Sequence, residues 1–427
     1  MKLRYTLLSL ALPGLLSLPA LAVQGYYRSP VLQQDQLVFT AEGDLWLAGL
    51  NNVNAQRLTT HPALESQPLL SADGSTLYFV ANYDGAEEIY QMPLRGGQAT
   101  RLTFENSRVR LQQSLTDGRI LYATDNVSGP ANYWVLRLFD PKTGQSSTLP
   151  LADAASGQLN EQTNTLFFTR FGLQLTGDNA KVYRGGAMGE LWRWSLGSQQ
   201  EAERLLPEHQ GSISQPQLYQ GRVYFISDVD GNSNIWSIAA DGSGLTQHSQ
   251  HQDWRIGRFS ISEGKAVYQL GADLYQIDLA SKQSQRLPIT LTSDFVQQRE
   301  RWLDNPLAYL TDANANASTK QVVLTARSQI AIASTGARRL VSIQTPEGSR
   351  SRSAVLSHDG KWVYAINDAS GENEIWRFAA DGSAKAEQLT KDGSVFRWGL
   401  QLSPDGRYLA HDDKNGDLWL LDLQSGQ

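Results

Sequence analysis

A short apolar–aromatic dipeptide that returns about every 40–45 residues constrains this chain more than any other feature. It stands as Leu45-Trp46, Ile89-Tyr90, Tyr133-Trp134, Leu191-Trp192, Ile235-Trp236 and Leu274-Tyr275. After a weaker copy at Ile330-Ala331 it returns as Ile375-Trp376 and Leu418-Trp419. Each copy follows a turn rich in Gly or Asn. A period of this length belongs to four-stranded β-propeller blades, each of which must stack on its neighbours to bury its faces.

The interior of each unit agrees. The second reads Gln67-Pro68-Leu69-Leu70, a turn at Asp73-Gly74, Leu77-Tyr78-Phe79-Val80, a second turn, Ile89-Tyr90-Gln91-Met92, and a closing Arg101-Leu102-Thr103. Those are four short runs of β-formers split by turn residues. The first-turn slot is refilled by Asp117-Gly118, Gln220-Gly221, Glu263-Gly264, Asp359-Gly360 and Asp405-Gly406. These pairs predict tight hairpins with both central residues at positive φ. The closing run recurs as Arg57-Leu58-Thr59, Arg204-Leu205-Leu206, Arg286-Leu287-Pro288 and Gln388-Leu389-Thr390. No long apolar period of 3.6 residues interrupts the pattern, so the expected fold class is all-β.

The spacing divides the chain into residues 23–288, a six-bladed β-propeller; 289–317, a connecting segment; and 318–427, an incomplete second β-propeller of three blades. Three blades cannot close a ring, so the chain is expected to be a piece of a longer polypeptide. Residues 1–22 carry a positive start at Lys2 and Arg4, an apolar run, and Ala20-Leu21-Ala22. They read as a cleavable signal peptide, which places the protein in the periplasm with no membrane association once the leader is removed. The formal charge of −6 offers no basic face for nucleic acid. The absence of cysteine excludes disulfides, thiolate metal sites and a thiol nucleophile.

Several motifs resemble the tricorn protease family. Tyr183-Arg184-Gly185-Gly186 with Gly189-Glu190-Leu191-Trp192 resembles the fourth blade of that family's first propeller, and Val223 to Gly231 the blade after it. Arg301-Trp302-Leu303-Asp304-Asn305-Pro306 with Tyr309-Leu310-Thr311, then Val323 to Arg327, is similar to the passage into its second propeller. The resemblance implies a six-bladed and a seven-bladed propeller ahead of a PDZ-like domain flanked by two halves of a serine peptidase. It also implies oligopeptide substrates and a homo-oligomer. This chain stops inside the second propeller, so no residue here inherits a catalytic role.

The residues themselves suggest no catalytic site and no cofactor. A Gly-x-Ser-x-Gly elbow is absent. The six histidines are scattered over turns and loops; His248 and His251 have a ligand-like spacing but no zinc context, and no metal is expected. Asp228, Asp230, Asn232 and Asn234 resemble the start of a calcium loop whose glycine is misplaced. The more informative polar pair is Arg108 and Arg110, at the start of the third blade's channel-lining strand, with Arg350 and Arg352 in the like position of the second array. Alternate residues share a strand face, and two guanidinium forks suit a carboxylate. The expectation is that Arg108 and Arg110 steer the carboxylate end of a peptide.

The function expected is therefore the non-catalytic, substrate-sieving propeller region of a periplasmic tricorn-like serine protease. Two alternatives share the blade pattern: a stand-alone periplasmic scaffold similar to the Tol-system propeller, and a propeller joined to an α/β-hydrolase as in prolyl oligopeptidases.

Overall fold

The computed structural model describes residues 26–130, 133–175, 182–296, 300, 302–337 and 339–427. The leader expected over 1–22 lies outside the described residues. The fold is all-β; among the described residues helix is confined to short 3-10 turns such as Leu173–Leu175 and Pro306–Tyr309. It divides into two compact units, Met1–Gln298 and Arg299–Gln427.

In the first unit, each group of four consecutive strands forms one antiparallel sheet, six sheets among the described residues. The first strands are Arg28–Gln33, Glu65–Leu70, Val109–Ser114, Ser156–Asn160, Ile213–Tyr219 and Ile256–Ser262. Each packs beside the next, and that of the sixth sheet packs against that of the first, so these strands face a common axis. Their facing edges are stitched by side chains. Gln113 Nε2 donates to the Leu159 carbonyl (3.0 Å) while its Oε1 accepts from Leu159 N–H (2.7 Å). Gln217 does the same to the Phe259 carbonyl and Ile261 N–H, and Ser260 Oγ accepts from Leu32 N–H across the closing seam. An amide side chain mimics the missing strand, so edge groups that neighbouring sheets cannot pair are satisfied.

The repeated sequence signals have one physical origin. The dipeptide lies in the third strand of its sheet, save Tyr133-Trp134, which stands just before Val135–Asp140, and Leu45, Trp46, Ile89, Leu191, Ile235, Leu274 and Ile375 are all fully buried or nearly so. The residue before it is acidic in most copies, and the closing Arg-Leu-Thr folds back onto it. In the second sheet Arg101 pairs with Glu88 (2.9 Å), while Thr103 Oγ1 accepts from Ile89 N–H (2.9 Å) and donates to Glu88 (2.7 Å). Arg57 and Asp44, Arg204 and Glu190, and Arg286 and Asp273 repeat the ion pair. The hydroxyl thus lets a buried carboxylate and a buried N–H be satisfied together.

The hairpins correct the sequence expectation. Gln220-Gly221 and Glu263-Gly264 form two-residue turns with φ of 46° and 75°, and 48° and 78°. The Asp-Gly turns are wider. Only their glycines are left-handed, while each Asp accepts the N–H two residues on, as Asp73 does from Ser75, Asp117 from Arg119, Asp359 from Lys361 and Asp405 from Arg407. An Asp side chain that caps the turn removes the need for positive φ at its own position.

The stretch 289–317, expected to be a plain connection, carries regular structure. Thr290–Leu291 adds a parallel fifth strand to the outer edge of the first sheet, and Tyr27 Oη donates to the Ile289 carbonyl (3.0 Å). The segment after the sixth sheet therefore clasps the first. Leu310–Asn316 is the first strand of the second unit.

The second unit holds two four-stranded sheets and one of three strands. Its core is Val323, Ile330, Ile332, Val363, Ala365 and Phe378. A buried ion pair, Arg397 with Glu374 at 3.0 Å, joins the segment before the third sheet to the second sheet. In the last strand, Leu418, Trp419 and Leu420 are exposed.

Candidate functional site

The axis of the first unit opens into a cavity of about 660 Å³, lined by all six first strands. A β-bulge aims side chains into it. The pairing slips between Arg28 and Val31, Ser66 and Leu69, and Ser214 and Gln217, with Ser29, Gln67 and Gln215 held at φ of 49°, 51° and 54°. Each is followed by proline, which has no N–H to lose at a bulge. Ser353 repeats the left-handed φ (51°) at the matching slip between Arg352 and Val355 in the second unit, so the bulge is a feature of the blade.

The cavity is cationic. Its charged lining consists of Arg108, Arg110, Arg258 and Glu87. Arg108 and Arg110 do converge, both stacking on the Trp134 ring at 5.1 and 4.3 Å. Their commitments differ. Arg108 Nε donates to Asp125 (2.6 Å), and Arg350 repeats that bond to Asp368 (2.9 Å) in the second unit, so the pair is a feature of the blade. Arg110 makes no such pair among the described residues. Burial, then the neighbouring charges of Arg258 and Arg108, push its guanidinium down to about 10. Arg352, the counterpart of Arg110, stacks on Phe396 at 4.1 Å and donates to the Arg397 carbonyl.

Sequence reasoning missed Arg258. It belongs to the sixth sheet, and its Nη2 donates to Gln67 Oε1 of the second (3.3 Å). The repeated X-Pro step at Ser29-Pro30, Gln67-Pro68 and Gln215-Pro216 was the available signal for channel-facing residues. It marks Gln67, though not its partner.

The remaining candidates are spoken for. Asp228 accepts from Ser212 N–H (2.8 Å) and pairs with Arg184, whereas Asp230 accepts from Asn234 Nδ2 (3.2 Å) and from Gln247. Asn232 donates to the carbonyls of His251 and Trp254. The calcium-like loop thus spreads its ligands instead of gathering them. His209 bonds Ser227 Oγ (2.7 Å) and His248 bonds Ser237 Oγ (2.8 Å), but both serines are fully buried. Burial pushes both imidazoles down, His248 to about 4, as for residues that hold the core together in neutral form. His251 meets Tyr268 Oη (2.8 Å).

With the geometry in view, comparison with known proteins is decisive at one level. Residues 24–283 match the family described as the tricorn protease N-terminal beta propeller domain. The chain belongs to that family. It is 24% identical to a tricorn protease homolog of Saccharolobus solfataricus over 409 residues, 94% of this chain and 36% of that one. It is 30% identical to a putative tricorn protease homolog 2 of Streptomyces coelicolor over 423 residues, 93% of this chain and 34% of the relative. The chain thus spans little more than a third of the length of these relatives. Among solved structures, the crystal structure of the tricorn protease superposes with a TM-score of 0.69 at 17% identity, covering 95% of this chain and 39% of that one. That likeness establishes a shared fold. Two motifs that carried the tricorn resemblance also meet in space: Arg184 of the Tyr-Arg-Gly-Gly loop donates to the carbonyl and carboxylate of Asp228 (2.9 and 3.2 Å).

Proposed function

We propose that this chain is the substrate-gating propeller region of a periplasmic tricorn-like serine peptidase that degrades oligopeptides. In this reading the first unit is a six-bladed propeller and the second unit belongs to a further ring, for which the exposed Leu418, Trp419 and Leu420 offer a face to an adjoining blade. The propellers break no bond. Their cavities admit extended chains and turn away folded ones, and hydrolysis is the work of residues beyond this chain. The leader-like residues 1–22 support export.

The observation that carries the reading is the cationic cavity on the axis of the first unit, within a family named for a protease. A peptide presents one carboxylate at its C-terminus, and Arg108 with Arg110 would draw it in: Arg110 by direct pairing, Arg108 by sharing itself with Asp125. The test is Arg108→Ala/Arg110→Ala in the full-length protein from its native host. Loss of a charge-assisted contact should lower cleavage of free-acid peptides about tenfold relative to their C-terminal amides. An unchanged ratio overturns the steering role.

A further inference from the structure

We infer that the first unit holds a second site, in the seam between its third and fourth sheets, that takes an aromatic carboxylate, with the ring against Trp192 and Trp194 and the carboxylate on Arg170. Strand alternation builds the wall. In the fourth sheet Phe168 stands opposite Trp192 and Leu166 opposite Trp194, so these side chains and Arg170 share the face turned to the third sheet. The third sheet ends on the exposed strand Gln145–Thr148, and the chain then passes through Pro150-Leu151-Ala152 without filling the seam. A cavity of about 440 Å³ lies between this loop and the two tryptophans, a size that suits a small ligand. It shares no lining residue with the axial cavity.

The polar groups decide the ligand's chemistry. Trp192 Nε1 donates to Glu190 (3.1 Å) and Trp194 Nε1 to the Gln200 carbonyl (3.2 Å), so both indoles are pinned and offer a ligand their apolar surface. The guanidinium carbon of Arg170 lies 4.9 Å from the Phe171 ring centre and 5.0 Å from that of Trp192. Its Nε is buried without a hydrogen-bond partner, and Arg170 forms no ion pair among the described residues. The carboxylates on neighbouring elements are committed elsewhere: Asp153 accepts from Trp134 N–H (3.4 Å), and Glu190 pairs with Arg204 (3.1 Å). Ring contacts occupy the faces of a guanidinium and leave its in-plane Nη donors, a fork that matches a carboxylate. An aromatic wall that ends in such a cation fits an aromatic acid better than a neutral ring or an amine.

Glu201 is the other charged residue of the lining, in the exposed segment 199–201 at the rim. It opposes a simple acid and favours one that also carries an ammonium group. The aromatic carboxylate therefore has two sources, a free aromatic amino acid or an acid without the amine, and Glu201 separates them.

Isothermal titration calorimetry on the full chain tests the site with phenylpropionate and phenylalanine, each beside its amide. At least one acid should bind saturably and about tenfold more tightly than its amide. Arg170→Gln should erase that preference. Ala152→Trp, at an exposed position of the lining, should plug the mouth and weaken binding about tenfold or more, and it keeps the test valid if Arg170→Gln unfolds. Tighter binding of phenylalanine, weakened by Glu201→Gln, supports the amino acid as the source. Tighter binding of phenylpropionate, strengthened by Glu201→Gln, supports the acid without the amine. No saturable binding, acid and amide bound alike, or an affinity unchanged in Ala152→Trp overturns the inference.

Discussion

Glu65 begins the second sheet and is 1% exposed, wedged against the first. Its carboxyl accepts from Tyr83 Oη (2.6 Å) and Thr59 Oγ1 (3.0 Å) and shares a hydrogen bond with Asp44 across the seam. Arg57 is turned to Glu42 and Asp44, and His61 stacks on Tyr83. Glu65 is therefore a buried acid without a cation of its own. Burial is the main cause that lifts it from 4.5 to about 7, against the lowering effect of its two hydroxyl donors. At 1.36 kcal/mol per pKa step this amounts to about 3 kcal/mol, and solvent screening at the seam reduces the expectation to about 2 kcal/mol.

The sign follows from linkage. A carboxyl raised in the folded state contributes stability that is complete below pH 4.5 and is lost as pH rises through about 7, because the native state holds the proton longer than the unfolded chain. The neutral buried histidines act oppositely: His248, lowered to about 4, contributes stability that is lost as pH falls below 6.5. The wild-type profile mixes both, so the informative quantity is a difference. Glu65→Gln imitates the protonated acid at every pH. It should match the wild type at pH 5 and exceed it at pH 8.5 by about 2 kcal/mol, or roughly 4–8 °C in the unfolding transition of the first unit. Scanning calorimetry across pH 5–8.5 measures this. A variant that runs parallel to the wild type, or falls below it at high pH, refutes the argument that Glu65 ionises at a cost.

Other residues give further expectations. Thr103→Val removes the hydroxyl that serves both Ile89 N–H and Glu88, and should cost about 1–3 kcal/mol in denaturant titration, with Thr103→Ser recovering most of it. Arg397→Met strands the buried Glu374 carboxylate and should destabilise the second unit by about 3–5 kcal/mol; adding Glu374→Gln should restore part of that loss. Tyr27→Phe deletes the bond to the Ile289 carbonyl and should cost about 1 kcal/mol, with faster hydrogen exchange at Thr290 and Thr292, whose amides hold the clasp.

The β class and the sheet pattern were legible because each depends on local chemistry repeated along the chain. The acid before most of the dipeptides and the Thr or Arg about 14 residues later write out a contact that forms within one sheet. The Asp-Gly hairpins were misjudged because a dipeptide does not reveal loop length: Asp73 and Gln220 precede glycine alike, yet one caps a wide turn and the other forms a tight one. Thr290–Leu291 was invisible because two residues of parallel strand carry no periodicity. The site was half legible. Arg108 and Arg110 share a strand face, as alternation predicts, whereas Arg258 becomes their neighbour only because the first strands meet around one axis.

The proposal that this region serves a peptidase is tested most directly by the intact mass of the protein captured from native cells with an antibody to the first unit, after treatment with a serine-reactive probe. A mass well above the 47.2 kDa of this chain, with the probe attached, is expected. A mass of this chain less its leader, with no probe bound, would contradict the peptidase role and leave a binding propeller.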